Sequence, residues 1–238
     1  MPSISVAGLD VEIVRKDIKH LHLGVYPPDG RVRVSAPLRV NDEAVRLAVI
    51  GKLAWVKRHQ QAFLRQERQS ARECASRESH YFFGRRYLLE VIEDRGPARI
   101  ALQDKTRLTL FIPPSTGVKR REEALNTWYR RELKAVIPSM IEKWEAVIGV
   151  RVAFWGVKKM KTKWGSCNRE ARRIWLNLEL AKKPVRCLEY IVVHEMVHLL
   201  ERRHNDDFRE LMDRFMPQWR LYREELNRAP LVHENWNY

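Results

Sequence analysis

Two histidines four residues apart with a glutamate between them, His194-Glu195-Met196-Val197-His198, are the stretch of this 238-residue chain whose spacing points most directly to a chemistry. On a helix, positions i and i+4 share a face, so both imidazoles can hold one metal ion. Glu195 stands about 100° around the helix from His194, which sets its carboxylate beside such an ion rather than on it. Imidazole-bound zinc with an open position lowers the pKa of its water to about 7. A neighbouring carboxylate then takes the proton as that water attacks. Leu188, Ile191, Val192, Val193, Met196, Val197, Leu199 and Leu200 surround the motif, so the helix is apolar nearly all round and is expected to be buried. Buried histidines and a glutamate need partners, and a metal satisfies all three together.

A third ligand is required. His204 lies six residues after His198, just past the expected helix end, and imidazole suits zinc. The competing scheme takes a carboxylate from a later helix, with Glu210, Glu224 and Glu225 available. Asp206 and Asp207 read as helix-start charges. Ser166 and Cys167 have no base partner recognisable from spacing and are assigned structural roles. Cys167 as a fourth ligand would close the open position.

Several elements must position these groups. Val11, Ile13, Leu21, Leu23, Val25, Val32 and Val34 alternate with polar residues, so the first 40 residues are expected as extended hairpins, with a turn at residues 27–30. Asn41 is placed to cap a long helix over about 42–70. Strand character returns at 81–93, 99–103 and 107–112, with Gly84 as a turn, and Pro113-Pro114-Ser115-Thr116-Gly117 is the clearest linker. These signals divide the chain into a β-rich N-terminal region, 1–117, and a catalytic half, 118–238, which are expected to form one structural unit. The second half should open with a helix over about 121–147 interrupted or kinked at Pro138 and ended by Gly149. Strands at 151–157 and 174–180 should then flank a loop, 158–173. Pro184 suits the first turn of the helix that carries the motif, and Asn205 the cap of the next. No internal repeat is evident.

Composition bounds the rest. Hydrophobic residues make up 45% and charged residues 32%, which excludes wholesale disorder. No apolar run approaches the roughly 18 residues a membrane span needs, and the N-terminus lacks a basic-then-apolar leader. The three cysteines, widely spaced and odd in number, exclude a disulfide framework and paired-cysteine zinc knuckles. A cytoplasmic protein without membrane contact is expected. The 45 Lys and Arg against 30 Asp and Glu leave a net charge of +15, which attracts nucleic acid, nucleotides or acidic protein surfaces. Residues 151–173 concentrate that charge, with Arg151, Lys158, Lys159, Lys161, Lys163, Arg169, Arg172 and Arg173 against Glu170. Trp155 and Trp164, interleaved among them, read as core.

At this point a resemblance covers nearly the whole chain. KTKWGSC (161–167), IWLNLEL (174–180) and YIVVHEMVHLLERRHNDDF (190–208) resemble the YgjP-like metallopeptidases, relatives of the SprT-like and Wss1-like zinc proteases. GVYPPDGRVRVSAP (24–37), KLAWVKRHQ (52–60) and YFFGRRYLLEV (81–91) extend the likeness forward. The resemblance implies an α+β fold: a zincin-like catalytic half, its active-site helix packed on a small, mainly antiparallel sheet, preceded by a β-rich half with one long helix. It implies one Zn2+ held by His194, His198 and His204, with Glu195 as base. In such a layout the strand after the basic loop borders the cleft, so a peptide can add to it. Lys161, Lys163 and Asn177 are then candidate substrate contacts, and a peptide or protein substrate, suitably acidic, is the expected partner. Hydrolysis of nucleoside triphosphates is the alternative the family leaves open, and the basic charge adds that of a nucleic-acid-associated protease.

Overall fold

A computed structural model of the chain describes residues 3–26, 30–65, 73–160 and 163–228, and divides near residue 71 into two compact units. The expected linker at 113–117 is not that division. It lies within the second unit, joining a strand to a helix.

In the first unit, β1 (Ser3–Val6), β2 (Leu9–Lys16), β3 (His22–Tyr26) and β4 (Arg31–Pro37) form one sheet in the order β1-β2-β4-β3. The expected hairpins are present, β1 with β2 and β3 with β4, and the two inner strands run parallel. Val11, Ile13, Val32 and Val34 alternate onto one face and bury there with Val45 and Val49. On the other face Glu12 and Arg33 are register partners, and Arg33 Nε donates to Glu12 over 2.8 Å. The long helix expected over 42–70 is instead two, α1 (Asp42–Ile50) and α2 (Leu53–Arg65); residues 66–70 lie outside the described residues. The interruption falls at Gly51, where backbone freedom makes helix propagation least favourable. Asn41 caps α1 as expected, its Oδ1 accepting from Ala44 N–H at 2.8 Å.

The second unit opens with β5 (Ser79–Phe82), β6 (Arg85–Glu93), β7 (Arg99–Leu102) and β8 (Arg107–Ile112), ordered β5-β6-β8-β7. Here the structure corrects the expectation of no repeat. Both four-stranded sheets are paired hairpins joined through a parallel central pair, and a helix follows each. Even the first turns agree. Ala7 and Gly8 (φ 50° and 78°), like Phe83 and Gly84 (φ 45° and 80°), put two successive residues in the left-handed region, the signature of a tight type I′ hairpin. Hydrogen-bond ladders and turns carry this likeness, so side-chain identity can diverge without erasing it.

Next comes α3 (Val118–Ile148), which continues through Pro138 and ends at Gly149 with φ 76°. Leu125, Tyr129, Leu133, Ile137, Ile141, Trp144 and Ile148 line its buried face at three- to four-residue spacing. The 158–173 segment is not simply a loop. Within it β10 (Gly165–Asn168) pairs antiparallel with β11 (Arg173–Asn177), which pairs parallel with β9 (Phe154–Lys158). The sequence GSCN has no apolar alternation to announce a strand. A short 3-10 helix over Leu178–Lys182 leads to α4 (Val185–Val197), α5 (Asp206–Phe215) and α6 (Trp219–Arg228). Pro184 immediately precedes α4 rather than sitting within its first turn. The β5–β6 turn docks there: Phe83 N–H donates to Ala181 O at 2.8 Å, and a Cβ on Gly84 would lie 2.7 Å from Pro184. No helix among the described residues is long and apolar enough to cross a membrane.

Candidate active site

Cys187, Leu188, Val192, Val193, Met196 and Val197 bury most of the surface of α4, leaving His194, Glu195 and His198 on the strip that faces a cleft of about 850 Å³. Although α4 ends at Val197, His198 keeps helical backbone angles (φ −64°, ψ −14°), so it stays one turn above His194. The chain then reverses. Leu199 and Leu200 N–H donate back to Met196 and Val197 carbonyls, and Asn205 Oδ1 accepts from Phe208 N–H at 3.1 Å to start α5. His204 is thereby returned to the motif, with its Nε2 3.0 Å from Nε2 of His198 and 3.0 Å from Nε2 of His194.

That convergence fits a cation better than a hydrogen-bond network. One ring nitrogen carries either a hydrogen or a lone pair, so Nε2 of His204 is poorly suited to bond both neighbours. His198 Nδ1 lies 2.9 Å from Glu201 O, and a carbonyl only accepts, so Nδ1 holds the hydrogen and Nε2 the free lone pair. Burial, then the neighbouring His198, His204 and Arg223, push His194 down to about 3. Burial likewise lowers His198 and His204, so neutral rings are favoured throughout. Nitrogens bound 2.0–2.1 Å from a tetrahedral zinc lie roughly 3.3 Å apart, close to the spacing present. These three are the one group of His, Cys, Asp or Glu that could share an ion among the described residues. Phe208 backs the triad, its ring centroid 5.0, 4.7 and 4.8 Å from those of His194, His198 and His204.

Glu195 is 5% exposed, and burial pushes its carboxyl up to about 8 against the opposing charge of Lys163. It lies against the backbone of β10: a Cβ on Gly165 would be 2.4 Å from Glu195 Oε1. Gly165 is therefore an element of the site. Cys167, on the same strand, lines the cleft but does not join the metal group, and burial and Glu195 push its thiol up to about 11.

The structure thus brings together His194, Glu195, His198 and His204 in one cleft, with Lys163 on its wall. Lys161 lies outside the described residues. Asn177 does not line the cleft. It is buried and its side chain is fully engaged, donating to Met160 O (2.8 Å) and Lys163 O (2.7 Å) and accepting from Met160 and Glu179 N–H (3.2 Å each). It braces the loop that presents Lys163. The rival carboxylates are elsewhere: Glu225 accepts from Arg186 Nε at 2.6 Å, and Glu210 and Glu224 do not line the cleft. Sequence reasoning assigned no role to Phe208, Tyr190 or Arg223. Only the helical spacing of Tyr190, one turn before His194, could have signalled any of them. Lys163, Arg169, Arg202 and Arg223 all line the cleft without an ion pair among the described residues.

Against known proteins, the family model described as YgjP-like, metallopeptidase domain, matches residues 20–229. The chain belongs to the YgjP-like metallopeptidase family. The match includes every cleft residue and reaches into the first unit as well. No curated protein matches the chain. Membership in the YgjP-like family makes this a metal-dependent hydrolase of the peptidase class, and the histidine triad is where such a metal could be held.

Proposed function

We propose that the protein is a zinc metallopeptidase in which His194, His198 and His204 hold one ion and Glu195 is the general base. The observation that carries this is the approach of three imidazole Nε2 atoms, 3.0 Å apart where measured, in a cleft that also holds a buried carboxylate. Three neutral imidazoles, with no fourth protein ligand among the described residues, suit catalytic zinc, which when bound supplies Lewis acidity to a water and to the substrate carbonyl.

The chain's own groups do the remainder. Glu195 takes a proton from the attacking water onto its carboxylate, then delivers it to the departing amine as the C–N bond breaks. A carboxyl whose burial favours the protonated form is suited to that shuttle. Among the described residues β10 is paired only with β11, and its other edge could take an added peptide strand. Lys163, Arg169 and Arg202 favour acidic side chains on that peptide.

Metal content and turnover test this together. Purified protein should carry one zinc per chain, lost on His194→Ala, His198→Ala or His204→Ala. Glu195→Gln should keep the zinc and lose about 10²–10⁴-fold in peptide cleavage. The unpaired cleft cations also suit phosphate, so nucleoside triphosphates belong in the same panel. Phosphate release abolished by Glu195→Gln, with peptides untouched by the wild type, would replace the peptidase reading.

A further inference from the structure

Arg223 stands apart from the basic loop. It arrives from α6, which packs on α4, and reaches the cleft wall lined by His194 and His204. An aromatic tier holds it. The guanidinium lies 5.9 Å from the Trp219 ring centre; Trp219 stacks on Tyr190 at 15° between planes; Tyr190 sets its ring edge-on to His194 at 5.8 Å. Trp219 is itself pinned, its Nε1–H donating to Asp213 over 2.7 Å. Among the described residues no carboxylate neutralises Arg223. An oriented guanidinium with free donors beside a metal triad is arranged to meet an anion.

Its neighbours in the cleft indicate which anion. Glu195 lies against Gly165 on β10, and the charge acting on it is that of Lys163. The charge of Arg223 acts on His194, His204 and Tyr190, the last of which also feels Glu195. Glu195 and Arg223 both line the cleft that holds the triad.

We propose that Arg223 is a catalytic residue that donates hydrogen bonds to the oxyanion formed when water adds to the scissile carbonyl. This rests on the peptidase reading. Water oxygen bonds to the carbonyl carbon, one water proton passes to Glu195, and the C=O π pair moves onto oxygen, where Arg223 meets it. That pair then re-forms the C=O bond as the C–N bond breaks, and the amine leaves with the proton from Glu195.

The test uses zinc-loaded full-length protein with a quenched fluorescent peptide, comparing wild type, Arg223→Lys and Arg223→Met. Loss of one such donor costs about 10²–10³ in kcat. Arg223→Met should fall in that range with KM changed less than threefold and zinc content unchanged, and Arg223→Lys should retain part of the rate. Guanidinium added to solution should partly restore Arg223→Met, which a purely structural role would not allow. Affinity for a phosphonamidate peptide, which carries a tetrahedral anion, should fall by a similar factor in calorimetry. An intact kcat, a loss confined to KM (the mark of an anchor for a substrate carboxylate), or unchanged phosphonamidate affinity overturns the assignment. Wild-type protein that cleaves no peptide overturns the peptidase reading itself, whereas active wild type with an indifferent Arg223→Met overturns only the role of Arg223.

Discussion

Gly165→Ala isolates the geometry of the general base from everything else in the cleft. The added Cβ would sit 2.4 Å from Glu195 Oε1, 2.7 Å from its Cγ and 2.8 Å from its Cδ. An ordinary contact is about 3.4 Å or more, so the carboxylate must retreat by roughly 1 Å. Gly165 is a strand residue that does not use positive φ, and alanine fits such a backbone. The fold and the histidine triad should therefore survive, while the base is displaced. A misplacement of about 1 Å can cost 10²-fold in rate, equivalent to about 2.7 kcal/mol in the barrier. The assay is kcat/KM on a fluorogenic peptide, with bound zinc and Tm measured on the same preparations. Combined with Glu195→Gln, the substitution should cost little more, because the displaced group is already gone. Full activity in Gly165→Ala, additive losses in the double variant, or a rate loss that tracks lost zinc would each refute the reasoning.

Other outcomes follow from individual contacts. Glu195 rises from 4.5 when unfolded to about 8 when folded, so the folded state holds the extra proton between those values and metal-free stability falls as pH rises through that window. Metal-free Glu195→Gln should therefore exceed the wild type in unfolding free energy from urea titration at pH 8, by at most ~5 kcal/mol, and the two should converge near pH 4. His194 acts in the opposite sense: lowered to about 3, it contributes stability above its unfolded value of 6.5 that is lost as pH falls towards 3, so His194→Gln should flatten the acid limb of the same titration. Phe208→Ala removes the ring behind all three imidazoles and should cost about 3–5 kcal/mol in denaturation while weakening zinc roughly 10–100-fold in chelator competition. Asn177→Ala strands the carbonyls of Met160 and Lys163 and the N–H groups of Met160 and Glu179; limited proteolysis should cut at 158–165 in the variant and spare the wild type.

Much of the scaffold was legible because it rests on local rules. Alternating valines marked the strands, Asn41 and Asn205 marked helix starts, and Gly149 marked the end of α3. Glycine also misled: Gly51 interrupts the expected long helix. The repeated sheet topology escaped because hydrogen-bond ladders, not residue types, carry it. Asn177 was mistaken for a substrate contact because an amide beside a cleft and an amide bracing a loop look alike until their partners are seen.

From sequence alone came the pairing of His194 with His198 and the place of Glu195 beside them, because helical periodicity converts a spacing of four into a shared face. Spacing and imidazole chemistry favoured His204 as third ligand, the resemblance implied the same, and the family itself is borne out by the family match. Tertiary structure alone decided that His204 returns to within 3.0 Å of both rings, that Phe208 backs them, that β10 presses on Glu195, and that Arg223 reaches the same cleft from α6. These are meetings of residues from separate elements. Their distances depend on how helices and strands pack, a property of the folded whole that no local spacing encodes.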